Sequence, residues 1–118
     1  ALYPVLIEGQ ILGGIVQGVS QALGEALIYD KTGQLSTGSF MDYQMPIASD
    51  FPKFRIKTHP VKTKINPLGA KGVGESGTVG ALAATLSAIQ HALQSVGAGP
   101  VQMPATPFRI WQKLKEIK

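Results

Sequence analysis

The sequence predicts an α+β fold in which two long helices are joined by a hairpin and short strands. Three observations carry this: two stretches with apolar residues at three- and four-residue steps, a turn signature between β-favouring runs, and one alternating segment closed by proline. From Ile11 to Ile28 the apolar residues Ile11, Leu12, Ile15, Val16, Val19, Leu23, Ala26 and Leu27 keep helical spacing. Gly14 and Gly18 lie inside that helix, where each glycine costs roughly 1 kcal/mol relative to alanine. A helix that keeps them needs another backbone or a ligand close by. Tyr29 to Phe40 reads as a hairpin turning on Asp30-Lys31-Thr32-Gly33. Met41 to Pro52 has two prolines and no period, so it reads as loop.

Phe54, Ile56 and Thr58 alternate with Arg55 and Lys57, the pattern of a half-buried strand ending at Pro60. Lys62 to Ser76 reads as loop. Gly77 to Val96 carries the second helical stripe, Val79, Leu82, Ala83, Leu86, Ile89 and Leu93, with Gly97 as its stop. Thr106 as N-cap and Pro107 at the first helical position open a short helix through Phe108, Trp111 and Leu114, a set that reads as a packing face.

The 118 residues form a single segment, 1–118, and carry a formal net charge of +4. Charged residues are 15% of the chain, against roughly 25% in an average soluble domain. With no cysteine, the chain itself offers no disulfide, zinc–thiolate site or iron–sulfur cluster. No apolar run approaches the ~20 residues of a membrane-spanning helix, and no leader segment is recognisable. A sparsely charged, glycine-rich chain that opens at Ala1 is expected to be part of something larger. Its charge is uneven: the first fifty residues hold one cation, Lys31, and five anions, whereas the rest hold ten cations and only Glu75 and Glu116. The basic half invites a nucleic-acid reading. Its cations are spread singly, however, with few aromatics interleaved as stacking platforms, so a basic rim facing an acidic neighbour or an anionic cofactor is favoured.

The densest motif is NPLGAKGVGESGTVGALAA, residues 66–84, which contains Gly72-x-Gly74-x-x-Gly77. A dinucleotide site would need a hydrophobic strand before it and an acid about 20 residues after it. Pro67 interrupts the first, and no Asp or Glu occurs between 76 and 115. A phosphate-binding Gly-Lys-Ser/Thr is missing, and Thr78 stands where a nucleophile elbow needs its second glycine. What remains is a lone carboxylate, Glu75, hemmed by Gly72, Gly74 and Gly77 ahead of a helix. It is either a simple helix cap or a general base beside a ligand that bare backbone can approach. Glu8-Gly9-Gln10 is a second glycine-flanked polar point. Gln10 is either a helix cap or, since an amide donates and accepts at once, a reader of a heterocycle edge. His59 and His91 are isolated; with no partner at metal spacing, His91 reads as structural.

Three stretches, VLIEGQILGGIVQGVSQALGEALIYDKTGQLSTGSFMDYQMP (5–46), NPLGAKGVGESGTVGALAATLSAIQHAL (66–93) and MPATPFRIWQKL (103–114), together resemble one family. It is the C-terminal part of the molybdenum-cofactor-binding large subunit of the xanthine dehydrogenase, aldehyde oxidase and carbon monoxide dehydrogenase family. The resemblance implies a molybdenum hydroxylase, an oxidoreductase that hydroxylates an electron-poor carbon of an aldehyde or N-heterocycle with water-derived oxygen. It implies that Glu75 lies beside the molybdenum and accepts a proton from a hydroxyl group there, with hydride passing to a sulfido ligand. Gln10, with Gly9, would meet the pterin, and the backbone of Lys71, Gly72, Val73 and Gly74 would lie along it. No residue of the segment is implied as a metal ligand. The cofactor would be molybdopterin or its cytosine dinucleotide, with iron–sulfur clusters and FAD on other domains or subunits.

The implied partners are the remainder of the molybdenum subunit, iron–sulfur and flavin modules and a small-molecule substrate, without membrane or nucleic acid. The implied location is the cytoplasm, with the periplasm as alternative, and the segment alone is expected to be inactive. Leu12 and Ser76 depart from the family, which often has His and Pro or Ala there. Two rival readings are a non-catalytic split subunit serving assembly or binding, and a basic anion- or nucleic-acid-binding module.

Overall fold

In a computed structural model that describes residues 2–117, three helices follow in order: α1 (Pro4–Leu23), α2 (Thr78–Ser95) and α3 (Pro107–Lys115), with a single 3-10 turn at Ala48–Asp50. Helix α1 begins seven residues before the expected Ile11. Pro4 occupies its first turn, where a missing N–H costs nothing, and Ile7 continues the stripe of Ile11 one turn back. It ends at Leu23, not Ile28, because the Gly24 and Glu25 amides both turn back onto the Ser20 carbonyl, at 2.9 and 3.1 Å. Gly9 and Gln10 therefore lie inside α1, and Gln10 is not its cap.

Helix α2 matches its predicted span to within a residue at each end. It closes on Gly97, whose φ of +80° lets its own amide and that of Ala98 return to Gln94 and Leu93, at 3.0 and 2.9 Å. The inward stripe is Leu86, Ile89 and Leu93; Val79 and Ala83, expected on it, are exposed. Leu93 packs with Ala98, Val101 and Ala105, and Ile110 of α3 joins that cluster. The Gln90 amide clamps both backbone groups of Val101, donating to its oxygen at 2.6 Å and accepting from its nitrogen at 3.3 Å. The Ala105 amide donates to the Ala22 oxygen at 2.7 Å, tying the tail to the end of α1.

Helix α3 starts as its sequence predicts, with the Thr106 hydroxyl accepting from the Arg109 amide at 3.3 Å. Phe108, Trp111 and Leu114, however, pack against nothing in the core and stay exposed. Phe108 and Trp111 stack on each other at 5.7 Å between ring centroids, and the Lys115 ammonium sits 4.1 Å from the Trp111 ring centre.

The expected strands do not form among the described residues. The hairpin turn exists, with the Asp30 carboxylate accepting from Thr32 and Gln34 and Gly33 at φ +85°. Its arms are reduced to an isolated antiparallel bridge, Tyr29 to Leu35. Residues 54–57 do alternate, Phe54 and Ile56 half-buried and Arg55 and Lys57 exposed. Yet among the described residues no backbone hydrogen bond involves 52–62, and a strand is defined by the ladder a neighbour supplies. The α+β expectation is corrected to three helices linked by irregular chain.

The surface reflects this. It measures 9391 Å², against about 6,200 Å² for a folded monomer of the same mass. The radius of gyration is 18.2 Å, where a compact domain of this length has about 13.5 Å. Leu2, Tyr3, Val5 and Leu6 at the start of α1 are among the large apolar side chains left open.

Candidate functional site

The two glycine-rich motifs singled out in the sequence, some sixty residues apart, meet at one end of the α1–α2 pair. Their meeting is built on three buried glycines: Gly14, Gly18 and Gly77. A Cβ on Gly77 would collide with the Ile11 carbonyl oxygen and come within 2.9 Å of the Ile15 nitrogen. One on Gly14 would lie 2.9 Å from both the nitrogen and the hydroxyl of Thr78, and one on Gly18 would lie 2.7 Å from the Ala81 Cβ and 2.8 Å from the Leu82 nitrogen. The helices thus come almost backbone to backbone, and the close approach of α2 at Thr78, Ala81 and Leu82 is what Gly14 and Gly18 accommodate. Off the flank of this seam the Thr78 hydroxyl donates to the Gln17 amide oxygen at 3.3 Å.

Gln10 stands one helical turn before Gly14 on α1. Gly74 and Glu75 stand just before Gly77 in the turn leading into α2. The seam therefore carries Gln10 to the loop, its amide nitrogen 3.9 Å from the Cβ position of Gly74. Turn bonds shape the loop: Ser76 donates to the Val73 oxygen at 3.1 Å, and the Glu75 oxygen accepts from Thr78 and Val79 at 3.1 and 3.2 Å. The backbone of Glu75 is thereby built into the first turn of α2. Its carboxylate is exposed and makes no hydrogen bond or ion pair among the described residues. A capping role would require that carboxylate to accept from the helix start, so the cap alternative fails.

Lys71, Gly72 and Gly74 are exposed, with Val73 half-buried between them. Nothing lies within 4 Å of the Cβ positions of Gly9, Gly13 and Gly72. One patch thus presents a donor–acceptor amide, bare backbone and an unpaired carboxylate. The nearby Leu12 is half-buried and offers no polar group. Such a patch suits a flat, polar ligand that bonds through its edges, as a pterin does, with a proton acceptor at its side. Among the described residues no group of three or more His, Cys, Asp or Glu is placed to hold a metal ion.

Other features lie apart from the patch. Open clefts beside Thr37–Tyr43 and beside Gln90, Gln94, Ala98 and Pro100 contain none of its residues. His59 and His91 are both exposed, so His91 fills no structural place in the core of this chain. Lys53, Arg55, Lys57, Lys62 and Lys64 are spread along the irregular 53–64 stretch, all exposed. Hydrogen bonds from Thr32 and Gln34 hold the Asp30 carboxyl below the usual carboxylate range. The Glu25 carboxylate accepts from the Tyr43 hydroxyl at 2.6 Å and pushes that phenol above its ordinary value. No described helix is long and apolar enough to cross a membrane.

The pairing of Gln17 with Thr78 escaped the sequence reading, which noted Thr78 only where a nucleophile elbow needs its second glycine. The Gly14-x-x-x-Gly18 spacing was the available signal, since small residues four apart mark a close helix crossing.

Known proteins are similar to this chain in sequence and fold. Residues 1–52 match the molybdopterin cofactor-binding domain family. The nicotine 6-hydroxylase large subunit of Paenarthrobacter nicotinovorans is 43% identical over 114 residues, covering 97% of this chain and 14% of that subunit. The carbon monoxide dehydrogenase large chain of Hydrogenophaga pseudoflava is 37% identical over 113 residues, covering 96% of this chain and 14% of that one. Among solved structures, quinoline 2-oxidoreductase from Pseudomonas putida 86 superposes with a TM-score of 0.89 at 40% identity, covering 98% of this chain and 15% of that one. The chain thus spans about one seventh of the length of the relatives it matches.

Proposed function

This chain belongs to the family of molybdenum-binding large subunits that includes those of carbon monoxide dehydrogenase and xanthine dehydrogenase, and on that premise we propose that it forms one edge of the molybdenum–pterin site of a hydroxylase. When bound, that group supplies two-electron redox chemistry for placing a water-derived oxygen on an electron-poor carbon. The residues of this chain bind, orient and take up a proton. Gln10 hydrogen-bonds the cofactor's edge, donating through Nε2 and accepting through Oε1. Gly72 and Gly74 let the ligand reach van der Waals distance of the main chain, with Gly9, Lys71 and Val73 completing the rim. Glu75 accepts at a carboxylate oxygen the proton that the oxygen nucleophile must lose. A base needs a free lone pair within reach of the acidic hydrogen, and an unpaired carboxylate fixed by its backbone to a helix start meets that need.

The observation that carries the reading is the approach of Gln10 to Gly74 beside the unpaired Glu75. The substrate class we favour is an aromatic N-heterocycle, as the names of the nicotine- and quinoline-oxidising relatives suggest. The partners would be the remainder of the large subunit and the iron–sulfur and flavin modules. Glu75→Gln in the complete enzyme tests the proposal. Turnover should fall by at least about 10²-fold, with metal content and melting temperature unchanged because the side chain bonds to nothing among the described residues. Turnover near wild type would overturn the base assignment and leave a non-catalytic assembly role.

A further inference from the structure

We propose that Thr78 and Gln17 form a positioning latch that sets the height of the Glu75 carboxylate against the Gln10 amide. The inference rests on the reading of Glu75 as base and deepens it. The glycines seat the helices closely, with the Thr78 side chain against Gly14 and the Ala81 Cβ against Gly18, and a directional bond at that contact adds to the steric fit. A slip of one residue along α1 would move Glu75 by about 1.5 Å relative to Gln10. A polar, directional contact between the helices opposes such a slip.

The Thr78 side chain is placed to do so. Its hydroxyl oxygen lies 2.9 Å from the Cβ position of Gly14, at the flank of the seam, and donates to Gln17 Oε1 at 3.3 Å. It bonds to no other described residue. Thr78 is also the residue whose amide closes the first turn of α2 onto the Glu75 oxygen, at 3.1 Å. A restraint on Thr78 is therefore one hydrogen-bonded turn from the base. Gln17 is exposed and forms no hydrogen bond with Gln10 or Glu75 among the described residues, so the latch would act through the backbone.

The test uses the complete enzyme and four variants. Thr78→Val keeps the shape and removes the hydroxyl; it should lower kcat roughly 3–10-fold with KM unchanged, the effect of one neutral hydrogen bond expressed on the barrier. Thr78→Ser should restore the rate, and Gln17→Leu should reproduce the loss without adding to it in the double variant. Thr85→Val removes a hydroxyl that bonds only the Ala81 oxygen within α2, and should leave kcat alone. In metal-free protein, amide exchange at Ser76–Val79 should quicken roughly 3–10-fold in Thr78→Val, with molybdenum content of the loaded enzyme unchanged.

The latch is overturned by a wild-type kcat in Thr78→Val, by failure of serine to rescue, by an equal loss in Thr85→Val, or by a drop in molybdenum content that accounts for the lost rate. Its failure is separable from failure of the base assignment. An inactive Glu75→Gln beside a fully active Thr78→Val removes only the latch, whereas an active Glu75→Gln removes the base itself.

Discussion

Gly77→Ala is the sharpest perturbation the structure offers. The added methyl would press on the Ile11 oxygen, on the Ile15 nitrogen at 2.9 Å and on the Gly14 carbonyl carbon at 3.1 Å. All three are backbone atoms of α1, so no rotamer change relieves the contact. Reaching even 3.4 Å from Ile15 moves the start of α2 by about 0.5 Å, and clearing Ile11 requires more. Overpacking of this kind costs about 1–3 kcal/mol. Because Glu75 shares the displaced turn, turnover should also fall, by about tenfold for a shift below the ~1 Å that costs 10²-fold. Gly80→Ala is the matched control: it lies three residues on, in the first turn of α2, with no described residue within 4 Å of its Cβ position. There alanine's helix preference should raise stability by up to ~1 kcal/mol. Thermal unfolding and steady-state turnover of the complete enzyme would read both. If Gly77→Ala melts with wild type, or Gly80→Ala drops as far, the backbone contact at the seam is not what holds the two helices.

Gln10→Ala should lower molybdenum occupancy, read by elemental analysis, while circular dichroism stays as wild type, since the side chain is exposed. Thr106→Ala removes the cap of α3 and should cost about 1 kcal/mol in denaturant unfolding; an unchanged midpoint would show that the Arg109 side-chain bonds to Met103 and Pro104 suffice to hold the helix start. The Tyr43 phenol should titrate above its usual 10.0 in ultraviolet difference spectra, and Glu25→Gln should bring it down, because the Glu25 hydrogen bond is the chief cause of the rise. A folded-state value raised in this way gives a stabilising contribution that is complete below pH 10.0 and disappears as pH climbs through the raised value.

The helices were legible where local chemistry decides them. Thr106-Pro107 and Gly97 mark helix ends whatever surrounds them, and α2 and α3 begin or end there. The start of α1 was hidden because Gln10 read as a possible cap, a boundary that Pro4 and the helix-forming run after it override. The strands failed for a different reason. Phe54 and Ile56 carry the right alternation, but pairing needs a second backbone that no composition of residues 53–60 can supply. The exposed Phe108–Trp111 face repeats the lesson, since amphipathic spacing says which side wants cover and nothing about what covers it. For the site, Glu75 and Gln10 stood out through their glycine neighbours. Their adjacency, and the hydroxyl of Thr78 between the helices, came only from packing.

A joint made of three glycines has almost no slack. With main chain resting on main chain at Gly14, Gly18 and Gly77, a tilt of one rod cannot be absorbed by a side chain swivelling between them. The amide and the acid consequently behave as jaws of a single stiff tool: whatever bends the first helix carries the second along, and the gap between Gln10 and Gly74 keeps its width while the pair moves as one piece.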